Sequence, residues 1–142
     1  MEGQVNMITL CVPSRGRPTL AKRFYDSVMT TCSDVKNVEV RFYLNEDDPF
    51  LNDYLKNIGK ANIWVGPHQS TSFSWNRLAL RAKHDIVCLM GDDVQIKTKN
   101  WDQKIYAEFE NVNDKVLMVV PWTGRPRGYS DSQLELHGRY VC

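Results

Sequence analysis

The sequence predicts an α/β fold of three layers, α/β/α, around a mostly parallel central sheet. Three observations carry this. Short, nearly continuous apolar runs end at turn-forming residues, stretches of helical apolar spacing lie between them, and the two kinds alternate along the chain. Apolar runs of about four to eight residues fit strands covered on both faces, and their alternation with helices places them in one sheet joined by right-handed crossovers.

The first run, residues 7–12 (MITLCV), is ended by Pro13; residues 86–90 (IVCLM) stop at Gly91, and residues 116–120 (VLMVV) stop at Pro121. Residues 38–44 (VEVRFYL) differ: Val38, Val40, Phe42 and Leu44 share one face, while Glu39, Arg41 and Tyr43 share the other. Such alternation predicts a strand nearer the sheet edge, with one face less buried. Residues 62–65 (NIWV), ended by Gly66-Pro67, form a weaker strand, and 136–141 a final one.

Between the runs, Pro18 suits a first helical turn and Leu20, Phe24 and Val28 recur on one face. Residues 49–58 repeat the helical pattern, with Asp48 as cap and Gly59 as stop. Ser72 caps a third helix through Leu78, Ala79 and Ala82, and Asn100 a fourth through Ile105 and Phe109. Residues 123–132, rich in Gly, Arg, Pro and Ser, read as a long mobile loop.

A chain of 142 residues predicts one domain spanning 1–142. Its 18 Lys and Arg against 17 Asp and Glu leave a formal charge of +1, which removes the usual reason to expect generic nucleic-acid or membrane-surface binding. No apolar stretch approaches the roughly 20 residues of a membrane span, and the opening Met1-Glu2-Gly3-Gln4 has no signal-peptide character. Cys11, Cys32, Cys88 and Cys142 form no Cys-x-x-Cys pair, and the three histidines are scattered, so structural zinc is not expected. These features predict a soluble, cytoplasmic protein with reduced cysteines.

In open parallel sheets, ligands bind beyond the carboxyl ends of the strands. Those ends carry Pro13, Ser14, Arg15, Gly16 and Arg17; then Asn45, Glu46, Asp47 and Asp48; then Gly91, Asp92 and Asp93. Asp92 and Asp93 offer hard oxygen ligands to Mg²⁺ or Mn²⁺, or equally form a solvated acidic turn. Arg15 and Arg17, beside a glycine before a helix, suit a phosphate; Arg125 and Arg127 are a weaker second cluster. One of Asn45, Glu46, Asp47 and Asp48 can accept from a base or ribose. Trp75 reads as core, and Asn76 as a polar side chain that needs a partner if buried. His68 and His84 receive no role. Phosphate-loop, dinucleotide-turn and nucleophile-elbow motifs are absent.

Together, residues 12–18 (VPSRGRP), Ser74-Trp75-Asn76-Arg77, the run into Gly91-Asp92-Asp93-Val94, and Trp101-Asp102 resemble the nucleotide-binding half of a family-2-like glycosyltransferase with the GT-A, Rossmann-like fold, of the short phage and bacterial type. The resemblance runs from Met7 to about Tyr140. It implies binding of a nucleotide-diphosphate sugar, a divalent metal (Mn²⁺ or Mg²⁺), and transfer of the sugar with inversion. It implies that Pro13, Ser14 and Arg15 cradle the base, that Asn45 stands where an aspartate usually contacts it with Asp47 as a nearby substitute, and that Asn76 helps hold the nucleotide. Asp93 matches the last acid of the Asp-x-Asp metal motif; Gly91 replaces the first, and Asp92 lies between. Family members continue past the strand that 136–141 resembles, into a half that supplies the acceptor site and the catalytic base, and no residue here matches that base. The resemblance therefore implies either a metal-dependent glycosyltransferase with an unknown acceptor, its cleft completed by a partner or a second copy, or a catalytically inactive truncated module that binds a nucleotide or a protein. A nucleotidyltransferase on a similar scaffold is a third reading.

Overall fold

A computed structural model describes residues 8–114 and 116–118. The chain divides into two compact units, with the boundary between Gln103 and Lys104. The first holds every strand found among the described residues. Its elements are β1 (Ile8–Ser14), α1 (Pro18–Thr31), β2 (Val38–Asn45), α2 (Leu51–Ile58), β3 (Ile63–Gly66), α3 (Thr71–Leu80) and β4 (Ile86–Leu89); α4 (Trp101–Glu110) begins there and continues into the second unit. No described helix is long and apolar enough to cross a membrane.

The strands order as β3-β2-β1-β4, all parallel. Ile8, Leu10 and Val12 of β1 are wholly buried, as are Phe24 and Val28 of α1. The Phe24 ring meets Phe42 of β2 edge-on at 6.2 Å, so α1 covers that face, and α2 packs beside α1. On the opposite face Cys11 and Tyr43 pack against Leu78 of α3. These contacts make the three layers. Burying each such side chain contributes about 1.5–3 kcal/mol before entropy is counted. Burial, with a smaller push from Glu39, raises the Cys11 thiol to about 12, so it stays a protonated, apolar filler.

Several expectations change. The run 38–44 is not at the sheet edge: β2 lies between β1 and β3. Its alternation has a local cause, because β3 pairs only with Phe42–Asn45 and leaves the first half of β2 without that neighbour. Glu39 and Arg41 sit in this uncovered half, half-buried, whereas Tyr43, expected on the polar face, is buried and donates to Pro67 O at 2.8 Å. The α3 cap is Ser70, whose hydroxyl accepts from Phe73 N at 3.2 Å, not Ser72, and Ala82 lies past the helix end. Asn100 precedes α4 with φ +56°, and its N–H donates to Thr31 O at 2.7 Å. Residues 116–118 carry no strand. The rest of that run, the loop 123–132 with Arg125 and Arg127, and the strand 136–141 lie outside the described residues.

Candidate functional site

Because all four strands are parallel, their carboxyl ends share one rim. A cleft of about 290 Å³ opens there, lined by Pro13 and Ser14 at the end of β1 and Arg15 and Arg17 after it, Asn45 at the end of β2, His68 and Gln69 after β3, Trp75 on α3, and Gly91 to Asp93 after β4. Short crossovers make this convergence. Gly16 has φ +65°, a conformation that suits glycine, and turns the chain from β1 into α1 within three residues.

Beneath the cleft lies a hydrogen-bonded knot. Asp92 is wholly buried. Its Oδ2 accepts from Ser14 Oγ at 2.6 Å and from Arg17 Nε at 3.1 Å, and its Oδ1 lies 2.7 Å from Arg17 Nη2. That last contact is an ion pair without good hydrogen-bond alignment, so Oδ1 has charge compensation but no formal donor. Ser14 Oγ is also 2.7 Å from the Tyr54 hydroxyl, which accepts from Arg17 N at 2.8 Å. Burial raises the Tyr54 phenol, so it remains protonated. Arg17 itself is 53% exposed, leaving part of its guanidinium for a ligand.

A second tie joins the neighbouring loops. The Asp48 carboxylate is buried and accepts from Gly16 N at 2.7 Å and from Phe50 N at 2.9 Å. Asp48 was expected as the α2 cap; Phe50 holds the cap position, and Asp48 instead fastens the turn before it to the β1–α1 loop.

On the cleft's other wall, Arg15 grips Asp47 through Nη1 at 2.6 Å and Nη2 at 3.3 Å, and also reaches Asn45 Oδ1 at 3.1 Å. The hydrogen bonds from Arg15 hold the Asp47 carboxyl below its usual range. His68 Nδ1 lies 3.8 Å from Asp47. Trp75 forms a wall and donates through Nε1 to Met90 O at 3.1 Å, so it serves both core and cleft. Asn76, one residue further round α3, is exposed and outside the lining, where the buried Ser74 takes its place.

The two neighbouring acids differ as metal ligands. Mg²⁺ and related cations are commonly held by one or two carboxylates together with substrate phosphates and water. Asp92 does not fit, since both its oxygens are buried against Ser14 and Arg17. Asp93 is exposed, and its carboxylate has no partner among the described residues, while its carbonyl accepts from Arg23 at 3.1 Å. A Cβ at position 91 would lie 2.8 Å from Asp93 Oδ1, so glycine leaves that carboxylate its room. Among the described residues no group of three or more metal-ligating side chains exists. Among the described residues, then, Asp93 is the acid a cation could share with a phosphate, and no cage of protein ligands is present there.

Sequence reasoning missed Tyr54, which reads as one more apolar position of α2, and His68 and Gln69, whose cleft position depends on where β3 ends.

No family model matches the sequence, and no curated protein does. Solved structures do. The Staphylococcus aureus protein TarS, residues 1–349, aligns with a TM-score of 0.55 at 18% identity over 72% of this chain, both in complex with UDP and without it. The match takes in 31% and 32% of those TarS chains, so this chain spans about a third of their length. At that identity the likeness establishes a shared fold.

Proposed function

We propose that the cleft binds a nucleotide-diphosphate sugar of the uridine type and that the chain is a glycosyltransferase-like domain. The observation that carries the reading is that Arg17 and Asp93, past the carboxyl ends of the adjacent strands β1 and β4, both line one cleft. The sequence resemblance and a fold neighbour that binds UDP support it.

In this reading the exposed part of Arg17 faces the diphosphate, and Asp92 holds that guanidinium in place from below. Fixed guanidinium groups stabilise charge that develops on a departing diphosphate without reorganising at the moment of reaction. Asp93 would hold a divalent cation (Mn²⁺ or Mg²⁺), which would supply further charge neutralisation at the diphosphate. Asn45 and the Arg15–Asp47 pair meet the base and ribose, with Trp75 as the opposing wall.

Transfer to an acceptor also needs a general base within hydrogen-bond reach of the attacking hydroxyl. Asp92 and Asp93 are the carboxylates that line the cleft among the described residues, and both are engaged in the roles above. This favours a second reading, a module that binds the nucleotide sugar without transferring it, unless a partner or another segment brings the base.

Calorimetric titration of the full chain with UDP, with and without Mn²⁺, tests the binding. Metal-enhanced UDP binding that is lost in Arg17→Ala supports the proposal, and the absence of UDP binding under either condition overturns it. Release of UDP from a UDP-sugar in the presence of acceptor separates the transferase from the silent module.

A further inference from the structure

A second, larger hollow of about 710 Å³ lies along β3, with a lining that shares no residue with the cleft. Leu55 of α2 and Arg81 after α3 both line it, although α2 and α3 cover opposite faces of the sheet. A hollow touching both can only run along the open side of β3, the last strand of the order among the described residues.

Its two walls differ in chemistry. Register places Trp64 opposite Tyr43, on the α3 face; there the Arg81 guanidinium stacks 3.8 Å above the Trp64 ring, and Arg41 stands alongside. Ile63 and Val65 point the other way, towards Leu55, and Val65 and Leu55 are about two-fifths exposed. Lys60, just before β3, also lines it. No carboxylate lines the hollow. Arg41 is already paired with Glu39 at 3.1 Å, but Lys60 and Arg81 have no carboxylate partner among the described residues.

An open strand edge offers a row of backbone donors and acceptors to an added strand, and alternate side chains of that strand then read the two faces. We propose that this edge is a docking site for an extended acidic segment of a partner protein, pairing along β3 with acidic side chains towards Arg81 and Lys60 and apolar ones towards Leu55 and Val65. Charge complementarity selects this occupant. A second copy pairing edge to edge would bring Lys60 and Arg81 against their own like charges, a device that ordinarily keeps exposed edges from self-association. This inference does not depend on what the cleft binds.

The probe is a labelled, blocked heptapeptide of alternating valine and glutamate, titrated against the full chain by fluorescence anisotropy. Saturable binding is expected, with slowed amide exchange at Ile63 and Val65, whose N–H groups alternate with those facing β2. Arg81→Glu and, separately, the exposed Lys60→Glu should each weaken it by about ten-fold; Lys60 touches no ring, so that variant keeps the test free of damage to the Trp64 packing. A block isomer with all glutamates first should bind at least ten-fold more weakly, as expected if register matters. Absence of binding, equal binding of the block isomer or of a valine–lysine peptide, or dimerisation of the chain through this edge in sedimentation overturns the proposal.

Discussion

Ser14 and Asp92, 78 positions apart, share a 2.6 Å hydrogen bond that joins the carboxyl end of β1 to the segment after β4. Through it the loop that carries Arg17 is fixed to the middle of the sheet. Asp92→Ala removes the acceptor for Ser14 and the counter-charge for Arg17. A buried hydrogen-bonded carboxylate lost this way costs about 1–3 kcal/mol, since the half-exposed Arg17 can turn to water and recover part of its solvation. Urea unfolding should show the lowered midpoint, and UDP affinity should fall with it. An unchanged midpoint would mean that the knot does not hold the loops together.

Asp93→Asn should behave differently from its neighbour. The side chain is exposed and unpartnered among the described residues, so stability should stay within about 0.5 kcal/mol of the parent. The Mn²⁺ enhancement of UDP binding should disappear while metal-free binding is kept. Calorimetry of the two variants side by side distinguishes a cation ligand from a structural acid.

Two carboxylates give the fold an acid limit. Arg15 hydrogen bonds hold Asp47 below its usual range. At Glu39 burial pushes upward, but the Arg41 charge and hydrogen bonds from Arg41 and Thr9 outweigh it, and the net shift is downward. A carboxylate depressed on folding stabilises the native state above its unfolded pKa, near 4, and loses that contribution as pH falls through the lower folded value. Thermal unfolding followed from about pH 6 to about pH 2 should show the midpoint falling below about pH 4. Glu39→Gln should make that fall shallower; an identical profile would remove Glu39 from the account.

Gly66→Ala should loosen the rim of the cleft. An added Cβ would lie 2.9 Å from Tyr43 Cζ and closer still to its hydroxyl. The Tyr43 ring is buried and T-stacked on Trp64 at 5.7 Å, so it has little room to give way. Overpacking of this kind costs typically about 1–3 kcal/mol. A chemical-denaturation midpoint equal to the parent's would show that the ring yields freely.

Much of this architecture was legible in the chain because burial on both faces writes itself as a nearly unbroken apolar run, as in Ile8–Ser14; Ile86–Leu89 reads the same way, although Leu89 is exposed among the described residues. Neighbour relations were not. The alternation of 38–44 looked like a sheet edge because a strand covered along half its length has the same pattern as one lacking a neighbour. The rim loops were found from the ends of those runs, and Pro13, Ser14, Arg15, Arg17, Asn45 and Asp93 do meet at one cleft. What two adjacent aspartates do was beyond the sequence: their types are identical, and only the direction each takes after β4 buries Asp92 and exposes Asp93. The Tyr54 hydroxyl was hidden for a similar reason, since helical spacing reports the ring and not its oxygen.

Asp48 accepts from Gly16 on one side and Phe50 on the other, so a single carboxylate sets the spacing between two rim loops. An engineer wishing to graft a new recognition loop onto this scaffold would have to transplant both segments as a pair, because exchanging either one alone strands the shared anchor.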